Sequence, residues 1–116
     1  MLMAFKGFSA LVALLHLGFL VLEMFLWATP TGLKIFHMTQ AQADATKVLA
    51  QNQGLYNGFL AAGILYGLVT GDMNTTILFL VFVVIAGIYG AVTAAPNIFF
   101  LQALPAIIAI TLRWFV

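Results

Sequence analysis

Long apolar runs, separated by short polar or Gly/Pro-containing stretches, follow one another along almost the whole chain. The runs predict helices over residues of about 5–28, 45–70, 75–95 and 97–115. Each is close to or above the roughly 20 residues that a membrane-spanning helix needs. Because the apolar residues come in runs rather than alternating with polar ones, helices are favoured over a transmembrane barrel. The pattern therefore predicts an all-α membrane protein, a four-transmembrane-helix antiparallel bundle that forms one domain over residues 1–116.

Three turn signals separate the predicted helices. Thr-Pro-Thr-Gly at 29–32 ends the first helix and opens the longest loop, because proline disfavours a helical conformation in the residue before it. Gly-Asp-Met-Asn at 71–74 and Ala-Pro-Asn at 95–97 predict the second and third turns. Within the fourth helix, Pro105 has no amide hydrogen and leaves the carbonyl of Leu101 without its helical partner, which predicts a kink.

Composition narrows the class of protein further. With 65% hydrophobic residues and a mean hydropathy of +1.17, the chain lies well above the roughly 45–50% apolar content of soluble domains. A net charge of +1 offers no basic face for nucleic acid. The absence of cysteine excludes disulfides and thiolate chemistry. The two histidines and three acids show no metal-ligand spacing, so neither a metal nor a cofactor is predicted.

Membrane orientation is left open by the charges. Lys6 and Arg113 on one side of the predicted bundle balance Lys34 and Lys47 on the other. The positive-inside rule needs an excess on one side, so it does not choose between the two orientations.

Polar side chains from all four predicted helices fall at one depth, on the side of the first loop. At a rise of about 1.5 Å per residue, they lie roughly 8–18 Å from the loop-side ends of their helices. If they point inward, they form a polar chamber that binds a small molecule. The set comprises Glu23 on the first helix, Asn52, Gln53, Tyr56 and Asn57 on the second, Tyr89 on the third and Gln102 on the fourth, with His16 extending it toward the middle of the bilayer.

Glu23 is the strongest candidate of this set. An acid inside a membrane span costs about 2.5–3.5 kcal/mol on insertion scales and usually has a function. The alternative is a structural carboxyl group that neighbouring amides satisfy. Those amides in turn either line a ligand site or hold helices together, at about 0.6–2 kcal/mol each. His16 also fits an interhelical hydrogen bond, and Tyr56 and Tyr89 fit packing aromatics with bonded hydroxyl groups.

Small residues recur at four-residue spacing in the second and third predicted helices. Such ridges let membrane helices approach closely. They predict close packing within the bundle, with a homodimer interface as the alternative. The three series are Gly54, Gly58 and Ala62; Gly63, Gly67 and Gly71; and Ala86, Gly90 and Ala94.

Two segments carry a resemblance to a known family. They are His-Leu-Gly at 16–18 with Glu-Met-Phe-Leu-Trp at 23–27, and Asn-Gln-Gly-Leu-Tyr-Asn-Gly-Phe-Leu-Ala at 52–61. Over nearly its whole length the chain resembles the small bacterial integral membrane proteins of domain-of-unknown-function family 1304. The resemblance implies four transmembrane helices, a multi-pass location in the bacterial inner (cell) membrane, and no established activity or catalytic residues.

A second, partial resemblance is to the small multidrug resistance exporters. The chain is similar to them in length, in its four-helix layout and in a membrane glutamate on the first helix. In that family the glutamate is shared by a proton and a cationic drug. This chain departs from the pattern because Glu23 lies near the far end of its helix and the family's aromatic and glycine motifs are missing.

The leading interpretation is a non-enzymatic membrane protein that binds, or binds and moves, a small molecule in the predicted chamber. A proton-coupled exporter of a hydrophobic cation is one alternative. A lipid-modifying enzyme is another, with Glu23 as acid/base and His16 assisting from about 10 Å along the same helix. A purely structural subunit is the fourth. The expected partners are membrane lipids and a small-molecule or lipid ligand, with a homodimer left open.

Overall fold

The computed structural model describes residues 1–94 and 96–115, and every regular element within these ranges is helical. The prediction of an all-α chain is confirmed. The elements, in chain order, are α1 (Leu2–Met24), α2 (Pro30–Phe36), α3 (Gln40–Thr70), α4 (Met73–Thr93), a π-helical turn (Phe99–Ala103) and α5 (Leu104–Arg113).

Two of these helices have the length and composition of a membrane span, α1 with 23 residues and α4 with 21. The π turn and α5 together make a shorter apolar helix, Phe99–Arg113. The longest helix is α3, with 31 residues. Its amides and charges are concentrated before Gly58. Length and composition therefore support two membrane spans, α1 and α4. The four-span bundle stays a prediction.

The segment expected to be the long first loop is largely helical. α1 ends at Met24, four residues before the predicted end, and α2 begins at Pro30, whose fixed φ suits a first helical turn. Thr29 caps α2 by accepting a hydrogen bond from the Gly32 amide at 3.5 Å. Thr29 and Pro30 therefore mark the start of α2, in addition to the end of α1 that the sequence predicted.

The N-terminus of α3 lies at Gln40, five residues earlier than predicted. Thr39 Oγ1 accepts a hydrogen bond from the Gln42 amide at 3.1 Å, and Gln42 Oε1 accepts one from the Thr39 amide at 2.9 Å. This reciprocal pair is the capping box, Ser/Thr-x-x-Glu/Gln, which the sequence contains. The cap lets the helix begin more than one turn before its apolar run.

The second turn lies where the sequence predicted it. Gly71 has a φ of +73°, which glycine adopts without steric cost. Asp72 caps α4 by accepting hydrogen bonds from the Thr75 amide at 3.1 Å and from its hydroxyl group at 2.7 Å. α4 then begins at Met73, two residues before the expected start, and its expected end at Ala95 lies outside the described residues.

The fourth predicted helix changes geometry just before its proline. The amide of Leu104 donates to the carbonyl of Phe99, five residues back, which closes the π turn. α5 starts at Leu104 with Pro105 in its first turn, where a missing amide hydrogen is tolerated. The predicted irregularity near Pro105 thus takes the form of a π turn on its N-terminal side.

The chain forms two compact units. The loop unit is His16–Phe59 and contains the end of α1, all of α2 and the first part of α3. The terminal unit is Met1–Leu15 together with Leu60–Val116, and it holds α4, the π turn and α5. The prediction of one domain over the whole chain stays a prediction.

The terminal unit packs through small residues. A Cβ placed on Gly87 would lie 2.7 Å from the Cβ and from the backbone nitrogen of Ala103, so α4 and the π turn meet at backbone distance. A Cβ on Gly63 would collide with the ring of Phe79 and one on Gly67 with Thr76, so these two glycines pack closely as predicted, whereas no described atom lies within 4 Å of a Cβ on Gly71. The buried apolar residues of this unit include Phe5, Val12, Ile64, Leu80, Val83, Ala106 and Ala109.

Candidate functional site

A carboxyl–amide pair joins α1 to α3 inside the loop unit. Glu23, in the last turn of α1, accepts a hydrogen bond at Oε1 from Nδ2 of Asn57. Asn57 is only 3% exposed, whereas Glu23 is half-buried and remains accessible. Both residues belong to the predicted set, and the structure brings them into direct contact.

Two glycines of α3 allow the close approach that this pair requires. A Cβ on Gly54 would lie 3.2 Å from the Cβ of Glu23 and 3.2 Å from the carbonyl oxygen of Leu20. A Cβ on Gly58 would lie 2.6 Å from Cδ1 of Leu20. Because Asn57 lies between the two glycines, its short side chain reaches the carboxyl group directly. Close packing at Gly54 and Gly58 is confirmed, whereas Ala62, the third member of the predicted series, is exposed.

A second polar contact fixes the register of the same unit. Nε1 of Trp27 donates a hydrogen bond to Oγ1 of Thr46 at 3.0 Å, and that hydroxyl group donates to the carbonyl of Gln42 at 2.8 Å. The Trp27 ring also packs against Phe36 of α2, with ring centroids 4.7 Å apart. The sequence did not predict this link, since no local pattern pairs a residue after α1 with one in α3.

The short helix α2 is held against the end of α1 by backbone contacts. Gly32 is buried, and a Cβ there would collide with the carbonyl groups of Leu26 and Trp27. The side-chain amide of Gln40 donates to the carbonyl of Ala28 at 3.2 Å. The loop beside the Glu23–Asn57 pair is therefore an ordered cap.

The carbonyl oxygen of the Asn57 side chain is buried and has no hydrogen-bond partner among the described residues. An unpaired buried acceptor costs about 1–3 kcal/mol, so buried amides are normally bonded at both ends. The Glu23–Asn57 pair thus makes one hydrogen bond, and the side-chain carbonyl of Asn57 is left as an acceptor without a donor among the described residues.

Three other predicted residues of α3 lie on its exposed side. Asn52, Gln53 and Tyr56 are all exposed, Tyr56 by 57%. Within residues 1–94 and 96–115, their side chains make no hydrogen bond. The sequence grouped them with Asn57 at one depth, and of these four residues the structure buries Asn57 alone. A ligand role for these three residues stays a prediction.

The remaining predicted residues lie in different surroundings. His16 is fully buried, and its ring meets Phe19 edge-on with centroids 5.3 Å apart. In the terminal unit, Gln102 lies half-buried in the π turn, and Tyr89 on α4 is 71% exposed. Ligand roles for His16, Gln102 and Tyr89 stay predictions. In the described part of the chain, no three histidine or acidic side chains lie close enough to hold a metal ion.

Comparison with known proteins gives one family and one relative. A family model described as a protein of unknown function (DUF1304) matches residues 10–114. The uncharacterized protein YpaA of Lactococcus lactis subsp. lactis (strain IL1403) is 30% identical over 111 residues, which cover 92% of this chain and 93% of that protein. No solved structure matches the chain. The family match includes the segments that carry Glu23 and Asn57.

Proposed function

The chain belongs to this family of unknown function, as its resemblance predicted, and we propose that it is a multi-pass membrane protein that binds a small molecule at the Glu23–Asn57 pair. In this proposal one domain crosses a bacterial inner membrane four times. The spans are α1, the second half of α3, α4, and the π turn with α5. The length and composition of α1 and α4 support it.

The observation that carries the ligand proposal is the buried, unpartnered carbonyl oxygen of Asn57 beside a half-exposed carboxyl group. Polar groups within a bilayer find little water and must be satisfied by protein or ligand. A purely structural amide is expected to have both of its ends bonded. The accessible side of Glu23 gives a small molecule a way to reach the pair.

The chemistry of the pair selects ligands that donate hydrogen bonds. A carboxylate accepts through two oxygens, of which Asn57 occupies one, and the Asn57 carbonyl is another acceptor. An ammonium or hydroxyl group would donate to the accessible carboxyl oxygen of Glu23, whereas a carboxylate or phosphate would be repelled. Leu20 and Met24, which contact α3 beside the pair, suit an apolar body on the ligand. The proposed ligand class is an amine or alcohol with an apolar body.

Ligand-dependent thermal unfolding in detergent tests this proposal. The panel consists of long-chain primary amines, alcohols and lipids with amine or hydroxyl headgroups. A ligand at a hundred times its Kd stabilises the folded protein by about 2.7 kcal/mol, so at least one compound should raise the Tm. Glu23→Gln and Asn57→Leu should each lose the shift. Asp44→Asn, which removes an exposed carboxyl group from α3, should keep it. No shift of the wild-type protein with any compound would contradict the proposal.

Proton-coupled transport of the same ligand is a second candidate, because a half-exposed acid on a membrane helix can exchange a proton for a cationic substrate. Proteoliposomes that enclose a pH-sensitive dye separate binding from transport. Addition of an amine that shifts the Tm should change the internal pH with wild-type protein and not with Glu23→Gln. Identical internal-pH traces for wild type and Glu23→Gln would rule out proton-coupled transport through Glu23.

A further inference from the structure

The side-chain amide of Asn57 is buried with only one of its two ends bonded. Its nitrogen donates to Oε1 of Glu23, whereas its carbonyl oxygen has no partner among the described residues. Asn57 is 3% exposed, so a molecule outside the protein does not reach this oxygen. An unpaired buried acceptor costs free energy. The donor that would relieve this cost has to come from a neighbouring group of the chain itself.

Glu23 is the neighbour that can supply this donor. Leu20 and Met24, which also contact α3 beside the pair, have no donor hydrogen on their side chains. A carboxylate only accepts hydrogen bonds, whereas a protonated carboxyl group has one O–H donor and still accepts at its other oxygen. One proton added to Glu23 therefore creates a donor beside the unpaired carbonyl of Asn57.

We propose that the Glu23–Asn57 pair is a proton-binding site, which on protonation closes into an acid–amide pair with two reciprocal hydrogen bonds. The two oxygens of a carboxyl group share one carbon, as do the oxygen and nitrogen of an amide, so the two groups can bond face to face. Nδ2 of Asn57 keeps its bond to Oε1 of Glu23, and the new hydroxyl group at Oε2 donates to Oδ1 of Asn57. The proton comes from water on the accessible side of Glu23, which is half-buried.

The charge of an ionised Glu23 is balanced by no basic side chain in the described part of the chain, where its hydrogen-bond partner is the neutral Asn57. His16 lies seven residues earlier on α1, about 10 Å along the helix axis. Protonation thus removes an unbalanced charge from a membrane helix, where charges are costly. The remaining titratable groups of the loop unit are all exposed, and they are Lys34, His37, Asp44, Lys47 and Tyr56.

The proton and the proposed ligand compete for the same oxygen. In the ionised state, the second oxygen of Glu23 accepts a hydrogen bond from an ammonium or hydroxyl group. In the protonated state, that oxygen donates to Asn57. The inference rests on the site of the proposed function and adds that the ligand binds its ionised form. The proton pair itself forms in ligand-free protein, so a failure of ligand binding leaves it standing.

Infrared difference spectroscopy of the ligand-free protein, recorded between high and low pH, tests the proton pair. Protonation of Glu23 should produce a carboxylic-acid carbonyl band that wild type shows and Glu23→Gln lacks. In Asn57→Leu this band should move to higher frequency, because a carboxyl group without hydrogen-bond partners has a stiffer carbonyl bond. The matched control is Asp44→Asn, which removes an exposed carboxyl group from α3 and should keep the band that Glu23→Gln loses.

Thermal unfolding supplies a second test, which holds even if Asn57→Leu does not fold. The amide of Glu23→Gln has a donor and an acceptor at every pH, as the protonated carboxyl group does. The Tm of wild type should lie several degrees below that of Glu23→Gln where Glu23 is ionised, and this gap should close where the infrared band appears. A band that is absent at every pH at which the protein stays folded, or that keeps its frequency in Asn57→Leu, would overturn the proposal. A Tm gap that widens on acidification would overturn it as well.

Discussion

The two units of this small chain are held by different kinds of contact. In the terminal unit the buried residues are mainly small or apolar, and helices meet where glycine allows backbone approach, as between Gly87 and Ala103. In the loop unit, directional hydrogen bonds join the end of α1 to α3. Close packing of small residues stabilises the fold but does not by itself form a polar binding site. Each unit holds one buried oxygen without a partner among the described residues, Ser9 Oγ in the terminal unit and the Asn57 side-chain carbonyl in the loop unit. Only the Asn57 carbonyl belongs to a side chain that is bonded to a carboxyl group, so the candidate site is assigned to the loop unit.

The largest expected effect comes from filling the tightest contact of the terminal unit. We expect Gly87→Ala to destabilise the protein by about 1–3 kcal/mol, because the new methyl group meets the backbone nitrogen of Ala103, which cannot move away alone. Gly18→Ala is the matched control, since no atom of the described residues lies within 4 Å of a Cβ there. That variant should gain roughly 0.5–1 kcal/mol from helix propensity. Denaturation in detergent measures both, and equal stability of the two variants would contradict the close contact.

In the loop unit, removing one hydrogen bond should have a moderate effect. Trp27→Phe deletes the indole donor to Thr46 and keeps an aromatic ring against Phe36. We expect a loss of about 0.5–1.5 kcal/mol. Thr46→Val should cost a similar amount, and the double variant should cost less than the sum of the two, because both single changes break the same bond. Fully additive losses in this double-mutant cycle would show that the contact contributes nothing.

Filling the glycine contact of the loop unit should cost less than filling that of the terminal unit. A Cβ on Gly54 would lie 2.6 Å from Cγ of Met24, a flexible side chain that can turn away. The gain in helix propensity offsets part of the strain, so Gly54→Ala should lose less than about 1 kcal/mol. The same change should reduce the Tm shift produced by ligand, because the new methyl group also lies 3.2 Å from the Cβ of Glu23 and displaces that side chain. A loss larger than that of Gly87→Ala would reverse the comparison between the units.

The smallest effect concerns the exposed cap of α4. Hydrogen bonds from the side chain and then the amide of Thr75 lower the pKa of Asp72 below its ordinary value of 3.8. A pKa lowered by folding gives a stabilisation that is complete above the unfolded pKa and disappears as the pH falls through the folded value. Asp72→Asn caps the helix without titrating. The Tm difference between wild type and this variant should therefore shrink below about pH 3.8; a difference that is constant with pH would contradict it.

Features of the fold that depend only on residues close together in the sequence were predictable. The turn at Gly71 and Asp72 needs a positive φ and a helix cap, and both are local properties. The capping box of Thr39 and Gln42 is equally local, and recognising it would have placed the start of α3 correctly. The return of α2 onto α1 was not predictable, because it depends on Gly32 fitting against backbone that only the folded chain places there.

The candidate site was predictable only in part. Comparing depths along the helices identified Glu23 and Asn57, because a helix rises by a constant amount per residue. Periodicity could not decide which polar residue of α3 faces α1, since the candidates share an arc of about 140°. The two glycines flanking Asn57 decide it, because they set the face on which the helices touch. The link between Trp27 and Thr46 depends on the same register and was missed for that reason.

Electron density of the protein crystallised from a lipid phase would show whether a molecule is bound beside Glu23. We expect a bound molecule that donates a hydrogen bond to the free carboxyl oxygen of Glu23 at about 2.7–3.2 Å. Its density should be absent from crystals of Asn57→Leu grown in the same lipid. A map in which the protein's own side chains satisfy the Asn57 carbonyl, with no bound molecule beside Glu23, would show that the pair is purely structural.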